Sequence, residues 1–105
     1  MLIDGEVVRS CLSIAANCQS REITTIEGVG DERQLSEVQQ AFLDEGAVQC
    51  GFCTPGMVLA ATALLARNPK PSDCEIRDGL SGNLCRCSGY VKIIKAVRRA
   101  SGRNR

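Results

Sequence analysis

The segments GAVQCGFCTPGMVLAATALL (residues 46–65) and IRDGLSGNLCRCSGYVKIIKAV (residues 76–97) each contain a tight pair of cysteines. Cys50 and Cys53 form a C-x-x-C pair, and Cys85 and Cys87 form a C-x-C pair. Each pair stands just before a predicted helix, so each is expected in a loop, and two such loops can converge on one tetrathiolate site. A lone C-x-x-C is also typical of a redox dithiol. Two pairs favour a metal centre, and the residues alone leave structural zinc and iron–sulfur both open.

Capping signals and apolar periodicity predict four short helices between residues 36 and 101. Ser36 with Gln39, and Ser72 with Glu75, match the capping box that begins a helix. These two boxes predict the starts of the first and third helices.

The second and fourth helices carry other signals. Thr54 is predicted as the N-cap of the second helix, with Pro55 at its first helical position and Asn68-Pro69 at its end. This helix is apolar nearly all round, which predicts that it is the buried central helix. The fourth helix is predicted from about residue 90 to residue 100.

Residues 1–28 have the pattern of β-structure. Asp4-Gly5 between apolar pairs is a strong signal for a tight hairpin. The segment 22–26 (EITTI) is rich in β-branched residues and predicts a short strand. Residues 29–35 are polar and are predicted to be a linker. The sequence therefore predicts an α+β chain with a small β part and a helical part.

The composition excludes several classes of chemistry. The chain has 105 residues, about one domain in length, with seven Cys and no His. A Ser-His-Asp triad, a Cys-His nucleophile and a mixed Cys/His zinc site are therefore excluded. No nucleophile is expected beside a base, so no catalytic residue is predicted and the chain alone is not expected to be catalytic.

Charge and hydropathy bear on partners and location. Residues 86–105 carry seven basic side chains and no acidic one, whereas residues 1–85 carry twelve acidic and six basic ones. No aromatic platform accompanies the basic tail, so no nucleic-acid partner is expected. The longest apolar run, Met57–Ala66, is too short for a membrane span. No signal peptide is visible, and seven Cys then indicate metal or redox use in a reducing, cytoplasmic compartment.

The two quoted segments closely resemble the C-terminal [2Fe–2S] domain of the small iron–sulfur subunit of molybdenum hydroxylases, the family of xanthine dehydrogenase, aldehyde oxidoreductase and aerobic carbon monoxide dehydrogenase. The shared features are both Cys pairs, Gln49 before the first pair, Thr-Pro-Gly after it, and Ser-Gly-Asn-Leu before the second pair. The resemblance implies a four-helix bundle over residues 36–105. It also implies one [2Fe–2S] cluster, with these ligands: Cys50, Cys53, Cys85 and Cys87.

Residues 1–28 are similar to the end of the family's N-terminal domain, which has a plant-type ferredoxin (β-grasp) fold and a second [2Fe–2S] cluster. Cys11 matches the fourth ligand of that cluster, and its first three ligands have no counterpart here. The resemblance thus implies a partial ferredoxin-like domain at 1–28 with Cys11 as an orphan ligand, and an N-terminal truncation. Such a remnant is expected to have unpaired strand edges.

The family's cluster carries electrons from the molybdenum cofactor toward flavin. The resemblance therefore implies an electron-transfer subunit, whose partners are a large molybdopterin-binding subunit and an FAD-binding subunit. Gln49 and Cys87 match positions that lie against the pterin in the family, although Gln49 could instead cap a helix. Two other hypotheses stay open at this point: a structural zinc-binding module, and a non-functional truncated remnant.

Overall fold

The computed structural model describes residues 1–102, which form four helices and three short strands. The helices are α1 (Glu37–Asp44), α2 (Thr54–Arg67), α3 (Asp73–Leu80) and α4 (Val91–Ala100). The strands are β1 (Leu2–Ile3), β2 (Glu6–Val7) and β3 (Ile23–Thr24), and short 3-10 turns occupy Ser10–Leu12, Ala15–Cys18 and Ile26–Gly28. The predicted α+β class with four helices is confirmed.

The starts of α1 and α3 are the predicted capping boxes. The Ser36 hydroxyl accepts from the Gln39 amide, and the Gln39 side chain accepts from the Ser36 amide. Ser72 and Glu75 make the same reciprocal pair of bonds. Each box satisfies two amides that have no partner within the helix.

The start of α2 differs from the prediction by one residue. Cys53 is the N-cap, because its carbonyl accepts the Met57 amide at 3.0 Å, and Thr54 is already helical. Pro55 therefore stands at the second helical position. The cause lies in the loop: the Thr54 amide donates to the Gly51 carbonyl at 3.3 Å, so the Cys loop runs directly into the helix. Gly51 allows this turn because it takes a φ of +86°.

The core is built around α2, as predicted. Met57 and Ala61 of α2 are fully buried, together with Ile76 of α3 and Ile93 of α4. Phe42 of α1 is buried in the same cluster. This packing fixes where the ends of α2, α3 and α4 lie, and hence where the loops that precede α2 and α4 lie.

Two basic side chains at the end of α4 bind neighbouring helices. The Arg98 guanidinium donates to Asp73 of α3, with Nε 3.1 Å from Oδ1. Arg99 Nη1 lies 3.2 Å from Glu45 Oε1, just beyond α1. These two members of the basic tail therefore hold α4 against α3 and α1.

The N-terminal strands form an antiparallel sheet in the order β2-β1-β3. The predicted hairpin is confirmed: Asp4 and Gly5 connect β1 to β2 with φ values of 51° and 84°, as a tight two-residue turn requires. Leu2 packs against Leu59 and Ala63 of α2, and Val29 of the predicted linker joins this contact to the main core. Within residues 1–102, no helix has the length and apolarity needed to cross a membrane.

Replacing Ile93 by Ala should lower the free energy of unfolding by about 2–5 kcal/mol, because it leaves a cavity in a fully buried site. Denaturant titration followed by circular dichroism measures this loss. Lys95→Ala, at an exposed position of the same helix, is the control and should change stability by less than about 0.5 kcal/mol. Equal losses in the two variants would contradict the placement of the core.

Candidate metal centre

Two loops carry the four predicted ligands. Cys50 and Cys53 lie in the loop between α1 and α2, and Cys85 and Cys87 lie in the loop between α3 and α4. Both loops end at a helix N-terminus, where backbone amides point outward and the helix dipole is positive. Each loop is therefore suited to hold negatively charged sulfur.

The four thiols approach each other as two pairs, and each pair takes one sulfur from each loop. Cys87 Sγ lies 3.6 Å from Cys50 Sγ. Cys53 and Cys85 also act on each other, since the contact raises the pKa of Cys53 and lowers the pKa of Cys85. Both loops therefore contribute to both pairs, although they are separated by more than thirty residues in the chain.

This pairing bears on the kind of metal group the site suits. Two thiolates on one tetrahedral metal, with bonds of about 2.3 Å, have sulfurs about 3.8 Å apart. The Cys50–Cys87 separation is close to that value. In the part of the chain that the structure describes, no set of three or more His, Cys, Asp or Glu side chains is gathered around a single ion position. The donor set is all thiol, and its two pairs fit a group with two metal atoms and two thiolates on each.

The inner pair, Cys53 and Cys85, is half-buried against the core. Hydrogen bonds from the Ser88 hydroxyl and amide, and from the Cys87 amide, lower the pKa of Cys85 to about 7. Burial, followed by the contact with Cys85, raises the pKa of Cys53 to about 11. The protein thus stabilises negative charge on Cys85 far more than on Cys53.

The outer pair, Cys50 and Cys87, is exposed. The Phe52 amide and the Cys87 thiol lower the pKa of Cys50 by hydrogen bonding to its sulfur. The same contact raises the pKa of Cys87, which acts as its donor. Phe52 lies in the first loop and Leu84 in the second, and their side chains are 95% and 85% exposed.

Gln49 and Cys87, both predicted to face a pterin, line one pocket of about 270 Å³. Lys92 of α4 and Ser88 also line it. Gln49 is exposed and lies before the N-cap of α2, at Cys53, so it does not cap that helix. The pocket therefore combines an amide, a thiol and an ammonium group beside the outer sulfur pair.

The other three cysteines lie outside this cluster of thiols. Cys11 is exposed in the first 3-10 turn, and Cys74 is exposed on α3. The Cys18 thiol donates to the Ile14 carbonyl at 3.6 Å. The segment near Cys11 reaches the second loop through Arg9, whose Nη2 donates to the Gly82 carbonyl at 3.4 Å.

Sequence analysis missed two residues that organise the second loop. Ser88 places both its hydroxyl and its amide on the Cys85 sulfur, at 3.2 and 3.3 Å. The Tyr90 hydroxyl accepts the Cys85 amide at 2.9 Å. The one available signal was their position directly after the C-x-C pair.

The model of a protein family described as "[2Fe-2S] binding domain" matches residues 25–98. The small FeS subunit of nicotinate dehydrogenase from Eubacterium barkeri is 51% identical over 100 residues, which cover 95% of this chain and 64% of that subunit. The iron-sulfur-binding subunit of xanthine dehydrogenase from Escherichia coli O157:H7 is 52% identical over 99 residues, covering 92% of this chain and 62% of that subunit. The chain thus spans somewhat less than two thirds of the length of these relatives.

Solved structures agree with this similarity. A chain of quinoline 2-oxidoreductase from Pseudomonas putida 86 superposes with a TM-score of 0.85 at 45% identity, over 98% of this chain and 67% of that one. Aldehyde oxidoreductase from Desulfovibrio gigas superposes with a TM-score of 0.92 at 40% identity, over 96% of this chain and 12% of that one. Both the helical part and the small sheet are therefore included in the shared fold.

Proposed function

The chain belongs to the [2Fe-2S] binding domain family, and we propose that it transfers electrons through one [2Fe–2S] cluster held by four thiolates. The proposed ligands are Cys50, Cys53, Cys85 and Cys87. The observation that carries this proposal is the pairing of the thiols, one from each loop in each pair. A cluster of this kind takes up and releases one electron at a time.

The surroundings of the thiols support electron transfer over catalysis. The chain contains no His, and within the described residues the groups in hydrogen-bond contact with the sulfurs are thiols, amides and a hydroxyl. Cys50 and Cys87 are exposed, so a group held there lies at the surface, within reach of a redox partner. Phe52 and Leu84 add apolar surface beside the site, as is common where another protein docks.

The named relatives indicate the kind of complex. They are iron–sulfur subunits of nicotinate dehydrogenase and xanthine dehydrogenase. We infer that this chain serves as the iron–sulfur subunit of a molybdopterin-dependent hydroxylase in the cytoplasm. Its partners are then a large subunit with the molybdenum cofactor and a subunit with FAD, and electrons pass from the first toward the second.

The pocket beside the outer sulfur pair is the proposed contact with the pterin. Gln49 supplies both an amide donor and an amide acceptor there, and Cys87 lines the same pocket. Lys92 adds a positive charge. A heteroaromatic ring with polar edges and a nearby phosphate matches these groups in chemistry.

We further propose that residues 1–28 are part of a ferredoxin-like domain, joined by residues 29–35 to the cluster-binding domain at 36–105, of which residues 103–105 lie outside the described part. Cys11 is the proposed ligand of a second cluster in that domain. The exposed apolar side chains support this proposal: Leu12 is 76% exposed and Ile14 is 66% exposed. Leu12 lies in the first 3-10 turn and Ile14 directly before the second, and exposed apolar surface of this kind is typical of a site where more protein packs.

Removing one ligand from either loop should abolish the cluster. In Cys50→Ala and in Cys85→Ala, three thiolates remain for two irons, so most of the iron should be lost. Iron analysis of the anaerobically reconstituted chain measures this, with about two irons per chain expected for the unmodified protein. Cys74→Ala, at an exposed position on α3, is the matched control and should keep its iron. Full iron in either loop variant, or a zinc-loaded protein without visible absorption bands, would refute the proposal.

Replacing Gln49 by Leu should slow electron transfer from the molybdenum centre to the cluster by about tenfold, by analogy with the loss of an outer-shell partner. The measurement is the rate at which the cluster is reduced in the assembled complex after substrate is added. Gln40→Leu on α1 is the control, since Gln40 is exposed and its side chain donates to Asp44 of the same helix. Iron content should be unchanged in both variants, and an unchanged rate in Gln49→Leu would remove the pterin role.

A further inference from the structure

The hydrogen bonds to the four sulfurs are unevenly distributed. The Ser88 hydroxyl and amide lie 3.2 and 3.3 Å from the Cys85 sulfur. The Cys87 amide and the Cys53 thiol also act on Cys85 and lower its pKa. The Phe52 amide lowers the pKa of Cys50, and the Cys50 amide acts on Cys87 in the same direction. Ser88 is thus the one residue that places two donors on the same sulfur within the described chain.

The direction of the Ser88 hydroxyl follows from its other contact. The Tyr90 amide donates to Ser88 Oγ at 3.2 Å, which uses the oxygen as an acceptor. A sulfur that ligates a metal carries no proton, so in the 3.2 Å contact with Cys85 only the hydroxyl can donate. The Ser88 proton therefore points at the Cys85 sulfur whenever that sulfur is a ligand.

Tyr90 holds this arrangement at a conformational cost. Its φ of 71° and ψ of −20° lie in the left-handed region, which is unfavourable for a residue with a Cβ. The phenol hydroxyl accepts the Cys85 amide at 2.9 Å, and the side chain packs against the main core. Strained backbone of this kind persists where the surrounding contacts fix it. Here Tyr90 binds Cys85 through its hydroxyl and Ser88 through its amide, and so holds the two residues close together.

The strength of the effect depends on where Cys85 lies. Cys85 is half-buried against the core, where hydrogen bonds to an anion are stronger than in water. Reduction adds one further negative charge that is shared with the ligand sulfurs, so donors on those sulfurs favour the reduced state.

We propose that the Ser88 hydroxyl raises the reduction potential of the cluster by donating to Cys85, and that Tyr90 is the positioning residue that aims it. This inference rests on the proposed function. It assigns a role to two residues outside the ligand set, and it separates the residue that tunes the potential from those that bind the metal.

Two matched pairs of side chains test the hydroxyl alone. Wild type and Ser88→Ala differ by the hydroxyl, and Ser88→Thr and Ser88→Val differ by a hydroxyl against a methyl group of similar size. The full chain is reconstituted anaerobically with iron and sulfide, iron is counted, and the midpoint potential is measured by dithionite titration followed by electron paramagnetic resonance. Ser101→Ala is the control, because it removes a half-buried hydroxyl that donates to the Arg98 carbonyl, away from the sulfurs.

The expected result is a lower midpoint potential in Ser88→Ala and Ser88→Val than in wild type and Ser88→Thr, with about two irons per chain in all four. Ser101→Ala should keep the wild-type potential. If Ser88→Ala loses its cluster, the Thr and Val variants still decide the question. Equal potentials with and without the hydroxyl would overturn the inference, and so would loss of iron from both variants that lack it. Absence of iron in the unmodified chain would instead refute the proposed function.

Discussion

The apolar packing of α2 against α3 and α4 is the constraint on which the rest of the structure depends. Cys50 and Cys87, 37 residues apart in the chain, bring their sulfurs to 3.6 Å. Neither loop can place its thiols alone, so the helices that flank them must be fixed first. The fully buried side chains of Met57, Ile76 and Ile93 lock α2, α3 and α4 together. The apolar core therefore sets the distance between the two Cys loops, which are short and rich in glycine.

Charge is distributed to suit that site. The thiol pairs lie beside the N-termini of α2 and α4, where partial positive charge favours anionic sulfur. The last turn of α4 carries Arg98 and Arg99, which bind Asp73 and the acidic end of α1. Two residues of the basic tail, Arg98 and Arg99, thus bind α4 to its neighbours at the end of the helix away from the sulfurs.

The local features of the fold were predictable from sequence, and the relations between distant loops were not. The capping boxes at Ser36 and Ser72 and the Asp4-Gly5 turn depend on neighbouring residues only, so their signals were sufficient. The start of α2 was wrong by one residue, because Thr54 resembles an N-cap whereas the turn at Gly51 already makes it helical. Spacing placed the cysteines in two loops but carried no information on which sulfurs would meet across them. The roles of Ser88 and Tyr90 were not predicted either, because neither composition nor periodicity reveals a tyrosine with a left-handed backbone conformation.

The two sulfur pairs differ in which donors can hydrogen-bond to them. Cys50 and Cys87 are exposed, so water can hydrogen-bond to them whatever the protein supplies. Cys53 and Cys85 lie against the core, where water has less access and the protein must provide the donors itself. Hydrogen-bond donors lower the pKa of Cys53 only slightly, and burial raises it to about 11. The inner pair therefore depends on the donors gathered at Cys85. Tyr90 holds these donors at Cys85 in an unfavourable backbone conformation. Such strain is found mainly at functional sites, which supports a functional role for the charge on the Cys85 sulfur.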